Sequence, residues 1–488
     1  MKLLSNGVFS SATARVSMAL AVALFAGCAA VGPDYVPPEI ATAPAWNNSI
    51  QDGMTAEANS QNLAAWWNTF NDPQLSVLIE RAVAQNRELK KARARIREAR
   101  ARKGVSSAGL YPTLDASGSA GRSHGSEETG AGATRSLYVT GLDAGWELDI
   151  FGGVRRSIEA AEADLQAGRE DLRDVLVSLV AEVAFNYVDV RAYQARLSVA
   201  ENSLESQRET FELTLWRRQA GLSDELAVQQ SRYNLESTRS RIPVLRTGLE
   251  EAKNNLAVLL GEQPGKIHRE LEKRKPVPEA PKTIAIGVPA DVLRQRPDVR
   301  RSERQLAAQT ARIGVAKAEL YPKFTLTGSI GLEAFSADSL FSSGNRTTSG
   351  SAGISWRIFD AGAVRRNIEA QYAIQEQYLF TYESSIMNSL KEVENAITAY
   401  AEEEKRRQTL REAVTAAQQA ADLAGYEYRS GLRDFSDVLE AQRSLLTFQD
   451  ELAQSDGTVV SNLIRLYKTL GGGWTSPAAQ ENFKGDKN

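Results

Sequence analysis

The chain has 488 residues, 42% hydrophobic and 24% charged, with a formal net charge of −3. That near-neutral balance gives no reason to expect a nucleic-acid partner, and 15 prolines with 35 glycines exclude a collagen-like or broadly disordered chain. The single cysteine, Cys28, excludes an intrachain disulfide.

The first 27 residues read as a signal peptide. Lys2 and Arg15 give a basic start, Val16 to Phe25 an apolar run, and Ala26-Gly27 a small-residue cleavage site. The run is too short to span a bilayer as a finished helix. Leu24-Phe25-Ala26-Gly27-Cys28 resembles a bacterial lipoprotein box, which makes Cys28 the lipidated first residue of the mature chain. Phe25 departs from the usual leucine, and Ala29-Ala30 stand where an aspartate would retain such a protein at the inner membrane, so outer-membrane sorting is expected. No later apolar run is long enough for a membrane helix. The mature chain therefore either rests on a membrane through its lipid or spans one as a β-barrel.

After this lipidated segment (28–62) the chain repeats itself. Leu110-Tyr111-Pro112 returns as Leu320-Tyr321-Pro322, an offset of 210 (320 − 110). Trp146 and Trp356, Val154-Arg155-Arg156 and Val364-Arg365-Arg366, Gly221-Leu222 and Gly431-Leu432, and Leu260-Gly261 and Leu470-Gly471 keep the same offset. One constant spacing across five landmarks marks a duplicated unit. The first copy is placed at 63–270, a linker at 271–290, the second copy at 291–473, and a polar tail at 474–488.

Each copy reads helix, strand, strand, long helix, tip, helix. Leu75 to about Ala108 is rich in Ala, Arg and Glu and suits one helix, which Tyr111-Pro112 stops. In Ser136 to Asp149 one alternate set is Tyr138, Thr140, Leu142, Ala144, Trp146 and Leu148. The second copy alternates Phe324, Leu326, Ile330 and Leu332 with polar residues, then Ile354, Trp356 and Ile358 with Gly353, Ser355 and Arg357. This is the two-faced strand pattern. Gly/Ser-rich 121–135 and 334–348 suit loops between hairpin strands. Two hairpins give four strands, and four alone would leave two open edges in lipid, so a barrel must be shared between chains. About eight strands would come from a dimer and about twelve from a trimer.

From Val154 to Gly221, and again from Val364 to Gly431, helix-favouring sequence runs without a proline. At 1.5 Å per residue each run is on the order of 100 Å long, and Leu176, Val180, Val183, Tyr187 and Val190 form an apolar stripe at helical spacing. Coiled-coil packing accounts for such lengths. Pro243 reads as a helix boundary. Glu402 to Arg407 read as a solvated face with no site.

Five further stretches stand out: Pro33-Asp34-Tyr35, WWNTFNDPQL from Trp66 to Leu75, WELDIFGGVRRSIEA from Trp146 to Ala160, the stretch from Arg294 to Phe324, and LYKTLGGGW from Leu466 to Trp474. With the features above they resemble the outer-membrane factor (TolC-type) family of efflux ducts, in the lipoprotein branch that serves resistance-nodulation-division pumps. The resemblance implies an α+β membrane protein: a homotrimer with one twelve-stranded outer-membrane barrel, four strands per chain. That barrel would continue into a long periplasmic coiled-coil tube that docks on a periplasmic adaptor and, through it, on an inner-membrane pump. It implies no cofactor beyond a covalent lipid, of palmitate type, on Cys28. Ala220-Gly221-Leu222 and Ser430-Gly431-Leu432 match the turns that meet the adaptor. Glu440 and Arg443, three apart on one helix face, lie where the family places an acid and an arginine at the periplasmic aperture. The first copy has Gln230 in place of Glu440.

Two other readings compete. An enzyme is poorly served by two histidines, His124 and His268, with no free thiol after lipidation and no phosphate loop, so no enzymatic activity is expected. A lipid-anchored periplasmic coiled-coil scaffold or adaptor accounts for Cys28 and the helices but leaves the strands unexplained.

Overall fold

The computed structural model describes residues 30–39, 43–47, 54–55, 63–130, 132–281 and 283–474. Cys28, the signal peptide and residues 475–488 of the tail lie outside them. In chain order the elements are β1 (Met54–Thr55), a 3-10 turn (Trp66–Phe70), α1 (Pro73–Gln85), α2 (Arg87–Ala108), β2 (Thr113–His124), β3 (Thr134–Leu148), α3 (Gly153–Gln219) and α4 (Glu225–Leu259). Then come β4 (Ile284–Ala285), α5 (Pro289–Gln295), α6 (Pro297–Ala318), β5 (Lys323–Ala334), β6 (Arg346–Ser355), α7 (Ala363–Arg429) and α8 (Phe435–Thr469). The bounds of α2 and α6, α3 and α7, and α4 and α8 each differ by 210 at both ends (297 − 87, 363 − 153, 435 − 225), so the duplication is structural.

The chain divides into two units, and the four long strands β2, β3, β5 and β6 belong to the first: residues 1–39, 95–169 and 301–383. Its sheet is antiparallel in the order β2-β3-β5-β6. Register fixes two faces. Ala116, Leu142, Ile330 and Thr348 lie across from one another in one row, and Asp115, Asp143, Ser329 and Ser349 in the next. Leu142, Ile330, Leu326 and Ile354 are exposed although apolar, which suits a face solvated by lipid rather than water. With 12, 15, 12 and 10 residues, each strand meets the 9–11 or so needed to cross a bilayer at a tilt. β2 and β6 are the edges, and among the described residues neither has a ladder partner on its outer side.

That edge position explains one departure from expectation. The alternation predicts a strand through Ile358, but β6 ends at Ser355, whose Cα partner is the first residue of β5, Lys323. Beyond it no strand among the described residues pairs with residues 356–358, and the Trp356 indole N–H instead donates to Leu320 O at 3.0 Å. In the first copy, β3 has a neighbour on each side and runs on to Leu148. The strands also enter the Gly/Ser stretches expected as loops: β2 reaches His124, β3 starts at Thr134 and β6 at Arg346. Small residues fit a ladder as readily as a loop once the partner strand holds them.

Among its described residues the second unit, 40–94, 170–300 and 384–488, is mainly helical and holds one two-residue parallel pair, β1–β4. The stripe from Leu176 to Val190 is buried as expected. Its centre is aromatic. Trp66 is fully buried and stacks on Tyr467 at 5.4 Å, with Trp67 and Phe70 meeting it edge-on. Asp72 caps α1 by accepting from Gln74 and Leu75 N–H, and its other oxygen accepts from the Tyr187 hydroxyl at 2.6 Å.

Two helix expectations need correction. The single helix expected over 75–108 breaks at Asn86, whose ψ of 136° leaves the helical region. The break is useful: Asn86 Oδ1 accepts from Leu89 N–H, and its Nδ2 donates to Leu259 O at 2.8 Å. At the matching place in the second copy, Arg296 Nη1 donates to Thr469 O at 2.9 Å. Pro243 is not a boundary either. It sits on an exposed face inside α4, flanked by buried Ile242 and Leu245, so its ring points away from the packed side and the helix continues. The run Glu402 to Arg407 is also less solvated than expected: Glu403 accepts from buried Ser455, and Arg407 pairs with Glu404. Among the described residues no helix is long and apolar enough to cross a membrane.

Candidate functional site: two helix tips and the polar pair above them

α3 and α7 end in the same way. Leu222 N–H donates to Arg217 O at 2.8 Å and Gly221 N–H to Arg218 O at 2.9 Å; Leu432 and Gly431 repeat this with Glu427 O and Tyr428 O at 2.9 and 3.1 Å. These paired bonds close a helix end through a left-handed residue. Gly221 has φ +73° and Gly431 φ +75°, which glycine adopts without penalty. Hydrogen bonding thus explains why each Gly-Leu follows a long helix. It does not explain the leucines. A residue after such a turn often packs back on the helix, yet Leu222 is 68% and Leu432 76% exposed. Trp216, Leu226 and Tyr426 near them are also exposed. A Cβ at either tip glycine would meet no atom within 4 Å, so a partner could approach the backbone closely.

The two tips are not identical. Asp224 Oδ1 caps α4 by accepting from Ala227 N–H at 2.8 Å, whereas the Asp434 side chain makes no capping bond. Arg218 pairs with Glu225 across the first turn, while Arg433 bridges Glu427 and Asp437 at the second. Under the turns, Ala227, Phe435 and Leu439 pack with Tyr428, and the Arg217 guanidinium lies 4.7 Å over the Tyr428 ring. This joins the first-copy tip to the second.

Glu440 and Arg443 form the expected pair, Oε2 to Nη1 at 3.3 Å, with both side chains about half exposed or more. Arg443 Nη2 also donates to the Tyr233 hydroxyl at 3.2 Å. Tyr233 is the residue 210 positions before Arg443, so the equivalent places on α4 and α8 face each other. The repeat offset could have flagged Tyr233 in the sequence. Two further links between the copies carry no short motif. Gln442 Nε2 donates to Thr210 Oγ1 at 2.9 Å, and Arg196 makes a two-pronged bond with Asp450 at 2.8 and 2.9 Å. Cys28 lies outside the described residues, so the geometry does not address its lipid.

Comparison with known proteins gives the family of the whole chain. The family model for outer membrane efflux proteins matches residues 78–262 and 288–472, two segments whose starts and ends are again 210 apart. A nodulation protein T of Rhizobium leguminosarum bv. trifolii is 33% identical over 450 residues, covering 92% of this chain and 94% of that protein. The cation efflux system protein CusC of Escherichia coli is 32% identical over 455 residues, 92% of this chain and 96% of its own length. Among solved structures, the outer-membrane channel OprN superposes with a TM-score of 0.85 at 34% identity, over 91% of this chain and all of that one. The open state of the Neisseria gonorrhoeae MtrE channel gives 0.80 at 28% identity, over 91% and 99%. The chain belongs to the outer membrane efflux protein family and is an outer-membrane efflux channel, not an enzyme.

Proposed function

We propose that three copies of the chain form the outer-membrane duct of a tripartite system, passively conducting drugs or other small toxic compounds outward. A periplasmic adaptor and an inner-membrane resistance-nodulation-division pump would deliver them. The observation that carries this reading is the sheet. It has four membrane-length strands, an exposed apolar face and two edges with no ladder partner among the described residues. Open edges are not tolerated in lipid, and four strands do not close alone, so copies must complete one another. A periplasmic scaffold gives that sheet no purpose. The lipid on Cys28 would add an anchor to the outer membrane.

The tips fit the adaptor contacts. Ala220, Gly221, Leu222, Ser430, Gly431 and Leu432 offer two turns with exposed leucines and room at the glycines for a partner's helices. Glu440 and Arg443 suit the periplasmic aperture. A single exposed pair of this kind contributes only about 0.2–0.5 kcal/mol, but threefold symmetry would gather three copies near one axis. The Arg443–Tyr233 bond ties α8 to α4 at this level and would have to break or slide for α8 to move.

Heat-modifiable migration and the native mass of the outer-membrane fraction test the assembly; a monomer released by removing the lipid would favour the scaffold. Planar-bilayer conductance of Glu440→Ala and Arg443→Ala tests the aperture. Raised conductance is expected, and if both variants match the parent protein the gate assignment is wrong.

A further inference from the structure

The duplicated Val-Arg-Arg motif builds a grip in the first copy. Arg156 is buried, and its guanidinium donates to Val31 O at 3.1 Å, to Ala30 O and Gly32 O at 3.4 Å, to Asp34 Oδ1 at 2.7 Å and to Glu159 Oε2 at 2.7 Å. Val31 N–H donates to Phe151 O at 3.0 Å. Two glycines make the room. A Cβ on Gly152 would stand 2.5 Å from Ala30 Cα, and one on Gly314 would stand 2.8 Å from Val31 O. The grip therefore holds a short peptide, bent at Gly32 (φ +102°), by its carbonyls and one carboxylate.

Every component has a counterpart 210 residues away: Arg366, Glu369, Gly362, Ala361 for Phe151, and Gly104 for Gly314. The Arg366–Glu369 pair repeats at 2.7 Å, and Gly362 repeats the left-handed φ at +85°. The chain, however, has one N-terminal segment and two copies of the grip. Arg366 is 82% exposed at its side chain, and neither Gly362 nor Gly104 has an atom within 4 Å of a built Cβ.

Topology says why. Arg156 follows β3 and Gly314 precedes β5, and these strands are neighbours in the sheet. Gly104 precedes β2 and Arg366 follows β6, which are the two edges. On the trimeric reading above, β6 of one copy lies beside β2 of the next, and the second grip assembles across that seam. We propose that each seam is a binding cleft for a short acidic segment of a second protein, bent at a glycine as residues 30–34 are.

The chemistry of the ligand follows from what is repeated and what is changed. Arg366 selects main-chain carbonyls and a carboxylate, as Arg156 does, because a guanidinium recognises planar oxygen pairs. The glycines admit a bare main chain. Ala361 replaces the Phe151 ring that stacks on Tyr321 at 4.5 Å, so Tyr111, the counterpart of Tyr321, keeps an exposed ring face. That widens the cleft and offers an apolar wall. The pocket for Tyr35 is not repeated: Ala307 and Ala308, which pack on Tyr35, correspond to Arg97 and Glu98. The gripped stretch is thus short and ends at its acid.

The test uses the full-length lipidated protein in detergent, with its mass measured in the same sample. The probe is a labelled peptide Ala-Val-Gly-Pro-Asp, read by fluorescence anisotropy. Saturation at three peptides per trimer is expected. Arg366→Ala, Gly104→Leu, and an asparagine in place of the peptide's aspartate should each weaken binding about tenfold or more. Gly104 has open space within its own chain, so its leucine variant should fold, and the mass shows whether the variant still forms trimers. A trimer that ignores the peptide overturns the cleft and leaves the trimeric reading standing. Binding that survives both variants but disappears in Arg156→Ala overturns it too, since the peptide would then be exchanging with residues 30–34. A monomeric mass overturns both readings.

Discussion

Glycines at three helix ends, Gly221, Gly431 and Gly261, share one backbone conformation but differ in what surrounds them, and that separates a docking role from a structural one. Gly221 and Gly431 have φ +73° and +75°, and a Cβ at either meets nothing within 4 Å. Gly261, which closes α4 by the same kind of turn, has φ +71°, but its Cβ would stand 2.7 Å from Gln85 O. A left-handed non-glycine residue costs roughly 1–2 kcal/mol. Gly431→Leu should therefore cost about that much and no more, because the side chain enters open space. Gly261→Leu adds the displacement of a backbone carbonyl, and its total should exceed about 3 kcal/mol. The assays are the yield of heat-modifiable oligomer in isolated outer membranes and drug resistance of cells lacking their own duct. Gly431→Leu and Gly221→Leu should keep near-normal oligomer yet lose export; Gly261→Leu should lose both. Full resistance in the tip variants refutes the adaptor contact, and oligomer loss equal to that of Gly261→Leu refutes the steric argument.

Other consequences are as concrete. Arg196→Ala should lower stability by about 1–2 kcal/mol, since it breaks a charged two-pronged bond that is three-quarters buried; a double-mutant cycle with Asp450→Ala should show coupling, and strict additivity would dismiss the link. Trp66→Ala should cost about 3–5 kcal/mol by opening the aromatic centre, read as a lower thermal midpoint with the strand content retained until unfolding. Burial pushes the Asp298 carboxyl up, but the hydrogen bonds and charge of Arg296 outweigh it and hold the carboxyl below its ordinary value. Its contribution is then full above about pH 4 and lost as pH falls through the depressed value. Asp298→Asn should be less stable than the parent at pH 7 and should flatten the acid limb of thermal midpoint against pH; an unchanged limb refutes the pairing.

Much of this was legible in the sequence because the signals were periodic. A 210-residue offset shared by Tyr-Pro, Val-Arg-Arg and Gly-Leu pairs places both copies, and alternation around Leu142 and Ile330 gives the sheet its faces. What the sequence hid depends on partners. Gly/Ser stretches beside β2 and β6 read as loops until a neighbouring strand supplies their hydrogen bonds. Pro243 reads as a stop unless its ring is known to face solvent, and Asn86 looks like one more polar helix residue until Leu259 O is found above it. At the site, Gly221, Gly431, Glu440 and Arg443 were readable. Tyr233 and Asp450 carry no such signal, and Arg156 shows only as a repeat landmark, because each acts through a residue far along the chain.

The most direct measurement is disulfide cross-linking between the two sheet edges. Single cysteines placed along β2 (Thr113–His124) and β6 (Arg346–Ser355) are paired and oxidised in intact outer membranes, with Cys28 the only native thiol position. If the edges close on neighbouring copies, matched pairs will give covalent dimers and trimers on a non-reducing gel, with nothing larger. Monomers alone, across every pair along both strands, would contradict the shared barrel.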